Sequence, residues 1–228
     1  MKYPYLLFDA DNTLFDFDAG NRYAFHRVCQ EHHLPESEEL FHLYEKFNLE
    51  LWTAFDHGQV TKDFLVVERF RRYLSALGLS GDPAACNRTH LDALSLNTLL
   101  VPHALEICRR LSQTHTLYIV TNAVASVQKS RLEKSAIAPY ITDAFISEDA
   151  GASKPTAAYF DYVFRQVPGL RRDNCLVIGD SLTSDIAGAV SYGLPCCWYN
   201  PRKVPRPGDV NIDYEITDLL QLYPILDD

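Results

Sequence analysis

Four short apolar runs, each nearly continuous and each ended by a polar residue, constrain the fold of this chain more than any other feature. They are Tyr5-Leu-Leu-Phe8 before Asp9, Leu117-Tyr-Ile-Val120 before Thr121, Ala144-Phe-Ile146 before Ser147, and Cys175-Leu-Val-Ile178 before Gly179. Apolar runs of this length without alternation read as strands buried on both faces, the mark of a parallel sheet. Cys196 to Tyr199 is a fifth candidate. Parallel strands need crossover connections, and helical patterns supply them from Pro102 (as N1) to about Ser112 and over roughly 125–135, 156–166 and 184–192, with Gly193 as the C′ residue of the last. The alternation predicts an α/β fold, a doubly wound (Rossmann-like) parallel sheet with helices on both faces. Ligands of such sheets bind beyond the carboxyl ends of the strands, where these runs place their polar residues.

The alternation breaks over residues 16–97, which hold no convincing strand. The predicted division is a core of residues 1–15 and 98–228 and an inserted all-helical cap domain at 16–97. Helix ends within the insert are readable: Ser37 caps Glu38 to Phe55 with Gly58 beyond, Thr61 caps Lys62 to Ala76 with Gly78 beyond, and Asp82-Pro83 opens another. Several helices on a two-way connection suit a lid. Asn200 to Asn211, with three prolines, reads as a surface loop.

A net charge of −9 repels polyanions, which argues against a nucleic-acid polymer or an anionic membrane as partner. A small anionic substrate needs a local positive site. No signal peptide or membrane span is legible, so a cytoplasmic location is expected, with no obligate protein partner evident. The six cysteines lack CxxC spacing and read as reduced, buried thiols; Cys196-Cys197 suits packing better than redox chemistry. The eight histidines show no HxxxH or HExxH cluster, which leaves a zinc site without support.

Asp9-Ala-Asp-Asn-Thr13 directly follows the first apolar run, so two carboxylates, Asp9 and Asp11, emerge at the predicted ligand edge. The plain alternative is a turn at Asp11-Asn12 capped by Asp9. Ile178-Gly-Asp-Ser-Leu-Thr-Ser-Asp185 brings Asp180 and Asp185 to the same edge, with Ser184 or Thr183 as candidate helix caps. Carboxylates converging beside a phosphate dianion repel one another by about 4 kcal/mol per pair at 4 Å and an effective dielectric of 20. A cation is therefore required among them, and all-oxygen ligation suits Mg2+. Thr121-Asn122 and Lys154 are candidate phosphate-binding residues, supplying a hydroxyl, the start of a helix near Ala125, and a compact positive charge. Taken singly, a Thr-Asn pair marks a turn and a lone lysine is solvated.

In order, Asp9-x-Asp-x-Thr13, Thr121, Lys154-Pro155 and Gly179-Asp-x4-Asp185 resemble the four motifs of the haloacid dehalogenase (HAD) superfamily, and the insert is similar to its C1-type cap. The resemblance implies that Asp9 attacks phosphorus to form an aspartyl-phosphate, while Asp11 protonates the leaving oxygen and then deprotonates water. It further implies magnesium held by Asp9, the backbone carbonyl of Asp11, and Asp180, with Asp185 behind them. Haloalkanoate dehalogenases lack the second acid, so Asp11 points to phosphate chemistry.

A narrower likeness runs through Phe8 to Phe17, Leu51-Trp-x2-Phe55, Gly58, Glu68-Arg-Phe70, Val127-Gln128, Arg131-Leu-Glu133 and Cys197-Trp-Tyr-Asn200. These segments resemble bacterial pyrimidine 5′-nucleotidases, which implies a nucleoside monophosphate substrate. The alternatives are a sugar-phosphate phosphatase or phosphomutase and, less favoured, a receiver-like phospho-accepting module. Ala123 departs from the glycine expected after Thr-Asn, and Ala187-Gly-Ala189 from paired glycines. Trp52 and Phe55 suit either core packing or base stacking, and Arg69, Arg71 and Arg72 either a solvated helix face or substrate guidance.

Overall fold

A computed structural model describes residues 2–206, 208 and 211–227. Among them lies one six-stranded, all-parallel sheet in the order β3-β2-β1-β4-β5-β6: β1 Tyr5–Phe8, β2 Thr116–Thr121, β3 Asp143–Ile146, β4 Cys175–Gly179, β5 Cys196–Tyr199 and β6 Tyr214–Ile216. The chain leaves β1 toward β2 and β3, then returns to its other side with β4. The carboxyl end of β1 is thus the topological switch point. Sheet register sets Phe8 level with Ile119 and Ile178, so Asp9 follows at the height of Val120 and Gly179.

The helices, in chain order, are α1 Phe17–Glu31, α2 Glu38–Asp56, α3 Lys62–Ala76, α4 Pro83–Leu94, α5 Ala104–Leu111, α6 Ala125–Lys134, α7 Ser147–Ala150, α8 Ala157–Gln166, α9 Ala187–Tyr192 and α10 Leu222–Leu226. Two compact units result: residues 1–17 with 98–228, and residues 18–97. In the first unit one apolar layer on each sheet face excludes water, with Leu6, Phe8, Leu117 and Ile178 in one and Leu7, Val120, Val177 and Trp198 in the other. Burial of this kind contributes roughly 25 cal/mol per Å² of apolar surface, which holds the strand ends rigid enough to carry a site. All six cysteines are buried and free.

In the second unit Phe25, Phe41, Tyr44, Phe70 and Tyr73 pack into one aromatic core. Ser37 and Thr61 accept the Leu40 and Phe64 amides, and Asp82 accepts that of Ala84. Arg69 departs from the solvated-face expectation. It is buried among oxygen and nitrogen acceptors, donating to Val66 O, Asn48 Oδ1 (2.9 Å), Asn87 Oδ1 and His90 Nδ1. Because His90 Nδ1 accepts from Arg69, its Nε2 carries the hydrogen and donates to Asn21 Oδ1 at 3.0 Å. Burial, then the nearby guanidinium, pushes His90 well below the usual imidazole value. Arg71 and Arg72 pair with Glu68 instead. Trp52 and Phe55 meet edge to face at 5.6 Å and are half-buried.

Three local expectations need correction. α5 starts at Ala104 rather than Pro102, because His103 takes a left-handed conformation (φ 66°) that cannot belong to the helix. The helix expected over 184–192 begins as a wide π turn, Leu182–Ile186, and Ser181 rather than Thr183 or Ser184 caps it, accepting Ser184 N at 3.2 Å. β6 was not expected: Tyr-Glu-Ile is too short to signal a strand and is specified by pairing with β5 at the sheet edge. Residues 207, 209 and 210 of the expected Asn200–Asn211 loop lie outside the described residues.

Candidate active site

Asp9 is the first residue after β1, and its amide donates to Ile178 O at 2.8 Å, so the ladder itself fixes where the carboxylate emerges. Lys154 approaches from the loop after α7, carried on a cis Lys154–Pro155 peptide. Its ammonium is buried and donates to Asp9 Oδ1 (2.7 Å), Asp185 Oδ1 (2.6 Å) and Val120 O (2.6 Å). An ammonium has three hydrogens, and all are engaged. In this arrangement Lys154 fixes Asp9 and Asp185 and reaches any other group through its field rather than by a donated hydrogen bond.

Asn122, expected at the phosphate, also braces Lys154 with its side chain. Its Oδ1 accepts Lys154 N at 2.9 Å and its Nδ2 donates to Lys154 O at 2.8 Å, a two-point clamp that ties the end of β2 to the lysine loop. Thr121 is buried and its hydroxyl oxygen accepts Ala123 N at 3.1 Å. The Ala125 amide at the start of α6 donates to Glu148 Oε1 at 3.2 Å, so that donor is satisfied within the protein. Ala123 is not among the residues with positive φ, and alanine is tolerated there without backbone strain.

Asp185 is fully buried. Its Oδ2 accepts the Ser181 amide at 3.1 Å while Oδ1 takes Lys154, so the wide turn after β4 folds this carboxylate back under the sheet edge. Gly179 is required here, because a Cβ at that position would fall inside the Asp185 carboxylate. Gly188 serves a related purpose, because a Cβ there would come within 2.9 Å of the Phe160 ring and 3.0 Å of Pro155 Cα. The Asp180 backbone carbonyl accepts Trp198 Nε1 at 2.9 Å, a support from the end of β5 that spacing alone does not reveal.

Asp9, Asp180 and Asp185 each bring a carboxylate oxygen within 4.8 Å of the others. Burial, followed by Asp185, raises the Asp9 carboxyl to about 7 against the opposing pull of Lys154. Burial, then Asp9 and Asp185, pushes Asp180 well above the usual range. Although burial opposes it, Asp185 and Asp9 hold the Lys154 ammonium above its ordinary value. With Asp11 paired to Arg131, four carboxylates face two cations, an excess of two negative charges. Such a cluster takes up either protons or a divalent cation, and the all-oxygen donor set fits a hard ion.

Asp11 sits two residues on, half-buried, in a turn closed by Asn12 N→Phe15 O (2.8 Å) with Asn12 at φ 60°, a left-handed conformation that asparagine tolerates well. Turn and carboxylate site thus coincide, and the Asp9 carboxylate is held by Lys154. Beside the site lies a recess of about 200 Å³ lined by Asn12, Asp180, Trp198 and Asn200 among others.

A doubly wound sheet with a buried lysine and converging carboxylates at its switch point defines the class: an α/β enzyme whose chemistry sits on strand ends. The model of the haloacid dehalogenase-like hydrolases matches residues 3–193, and the chain belongs to that hydrolase family. It is 37% identical to YfnB of Bacillus subtilis strain 168, described as a HAD-hydrolase, over 99% of this chain and 96% of that one. It is 31% identical to the pyrimidine 5′-nucleotidase PynA of Streptococcus pneumoniae, over 100% and 96% of the two chains. With the Escherichia coli pyrimidine 5′-nucleotidase YjjG it shares 28% over 99% of each. The magnesium-bound crystal structure of YfnB superposes with a TM-score of 0.95 over both full chains. No helix among the described residues is long and apolar enough to cross a membrane.

Proposed function

We propose that this hydrolase cleaves small phosphomonoesters through a covalent intermediate on Asp9, and that pyrimidine nucleoside monophosphates are its substrates. The observation that carries the reading is the pairing of two strand-end carboxylates in different environments: Asp9 buried on Lys154, Asp11 half-exposed on Arg131. In the first step an Asp9 oxygen forms a bond to phosphorus as the bond to the leaving oxygen breaks, and Asp11 passes its proton to that oxygen. Water then attacks phosphorus, the Asp9–phosphorus bond breaks, and Asp11 takes the proton of the water. Splitting one displacement into two, each with a placed proton donor or acceptor, is worth about 10² to 10⁴ for the proton transfers alone.

Asp9, Asp180 and the Asp11 carbonyl would hold magnesium, with Asp185 behind them, and the metal would neutralise charge on the phosphoryl oxygens. The nucleotide assignment rests on relatives named as pyrimidine 5′-nucleotidases along the whole chain. A panel of nucleoside monophosphates, hexose phosphates and a 2-haloacid, assayed with magnesium and then EDTA, tests it through relative kcat/KM. Pyrimidine monophosphates are expected to lead and EDTA to abolish turnover. A flat profile, or a lead for hexose phosphates, would sink the nucleotidase assignment, and turnover of the haloacid would sink the phosphatase one.

The shifted carboxyls give a second test. Asp9 is raised from 3.8 to about 7, so the folded metal-free protein holds a proton that the unfolded chain releases. The stability this contributes is present below about pH 4 and lost as pH rises toward 7. Magnesium ligation needs the ionised carboxylates, so the rise in Tm on adding magnesium should be larger at about pH 8 than at about pH 5.5. Equal rises would contradict ligation by this cluster.

A further inference from the structure

Arg131, on α6, is fully buried, yet the proposed chemistry assigns it no task. Its Nη1 donates to Asp11 Oδ1 at 2.5 Å and to Gln128 Oε1 at 3.4 Å, and the guanidinium carbon stands 4.5 Å from the centre of the Phe15 ring. Phe15 is fixed in turn, because its amide donates to Ala10 O at 2.8 Å and its carbonyl accepts Asn12 N at 2.8 Å. The guanidinium is therefore held by the ring of the same turn that displays Asp11. Gln128 is itself fully buried and lies one helical turn before Arg131 on α6. Burying a guanidinium costs several kcal/mol unless it is paired, so both the aim and the partner of this group are strongly specified. The Asp11 side chain, by contrast, keeps 27% of its surface exposed.

We propose that Arg131 is the positioning residue for Asp11: by holding Oδ1 it turns Oδ2 toward substrate, so that Oδ2 is the oxygen that gives the proton to the leaving group and takes it from water. The inference rests on the phosphatase reading above. A carboxylic acid protonated on Oδ2 still accepts the Arg131 hydrogen on Oδ1, so the contact persists through both steps. In the first, the Oδ2–H bond breaks as the leaving oxygen gains the proton and the phosphorus–oxygen bond electrons. In the second, Oδ2 gains the proton of the attacking water. Arg131 itself neither gains nor loses a proton.

A leaving-group comparison of kcat/KM on the magnesium-loaded enzyme tests this, because kcat/KM reports the step that expels the leaving group and not the hydrolysis of the aspartyl-phosphate that every substrate shares. p-Nitrophenyl phosphate departs as a stable phenolate that needs no proton, whereas a nucleoside monophosphate departs as an alkoxide that does. Asp11→Asn is expected to lose about 10² to 10⁴ on the nucleotide and far less on p-nitrophenyl phosphate. Arg131→Gln should show the same selectivity with a loss of about 10²-fold on the nucleotide, the size expected of a misplaced catalytic group. Arg131→Lys, which keeps the charge but neither the planar fork nor the guanidinium over Phe15, should fall between wild type and Arg131→Gln. Adding Arg131→Gln to Asp11→Asn should cost nothing more on the nucleotide.

A loss in the arginine variants that is equal on both substrates, or that multiplies with Asp11→Asn, would overturn the positioning role and leave the acid/base reading of Asp11 intact. If Arg131→Gln does not fold, the same two outcomes are read from Arg131→Lys. Absence of leaving-group selectivity in Asp11→Asn itself would overturn the acid/base reading, and this inference with it.

Discussion

Asp9→Asn should lower kcat by a factor on the order of 10⁴ or more while leaving the protein folded. The amide retains an oxygen that can accept from Lys154 Nζ, now 2.7 Å from Oδ1, but it cannot attack phosphorus. Removing a nucleophile eliminates a covalent route rather than weakening it, so the loss exceeds that of any single proton-transfer group. Hydroxylamine trapping or a mass shift of one phosphoryl group in rapidly quenched enzyme should detect the intermediate in wild type and not in Asp9→Asn. A trapped adduct in the variant, or kcat within about tenfold of wild type, would remove Asp9 from the role of nucleophile.

The same substitution should not lower metal-free stability at pH 8. Burial and the Asp185 charge raise Asp9 to about 7, so its ionised form is disfavoured in the folded protein. Replacing a charge that the fold resists relieves that cost, the usual relation between a reactive group and its scaffold.

The sequence carries Asp9 and the other strand-end residues well because their signals are local. Continuous apolar runs mark strands buried on both faces, and the residue that ends such a run must lie at the sheet edge. Asp9, Thr121 and Asp180 were legible for that reason. Helix caps such as Ser37 and Thr61 are equally local, since cap and amide lie three residues apart.

What escaped depends on contacts between distant segments. Arg131 meets Asp11 across 120 positions, and nothing in its own helix marks it as buried, since α6 also carries Lys129, Glu133 and Lys134. The Asn122 clamp on Lys154 spans 32 positions, a brace that the Thr-Asn pair alone does not reveal. Arg69 failed for a related reason: a cationic residue beside Arg71 and Arg72 reads as solvated, and only packing of α2 and α4 against α3 supplies the acceptors Asn48, Asn87 and His90. Trp198 was read as strand core, which it is, but its indole N–H also fixes the carbonyl of Asp180.

Lys154→Met should be the most destabilising change at the site, because the lysine neutralises Asp9 and Asp185 in a region with almost no access to water. Breaking a buried ion pair by removing one partner costs about 3–5 kcal/mol, since the remaining charge stays buried. For a chain of this size that corresponds to a fall in Tm of roughly 6–20 °C. Methionine matches the stem in length and packing, so the charge and its hydrogen bonds are what is lost. Lys154 is raised above its ordinary value, and its contribution is therefore present below about pH 10 and constant across the neutral range. The pH dependence of the variant must come from the carboxylates. Asp9 lies at about 7 even with Lys154 pulling it down, so removal of that pull moves it higher. The folded variant then keeps its Asp9 proton from about pH 7 up to that higher value, where wild type has lost it, so its stability deficit should shrink as the pH falls toward about 7 and level off below it. Thermal unfolding of both proteins without metal between about pH 6 and 9 measures that convergence. A deficit of the same size at every pH would mean that lost packing, rather than uncompensated charge, sets the cost, and that Lys154 is not the counterion on which the Asp9 site depends.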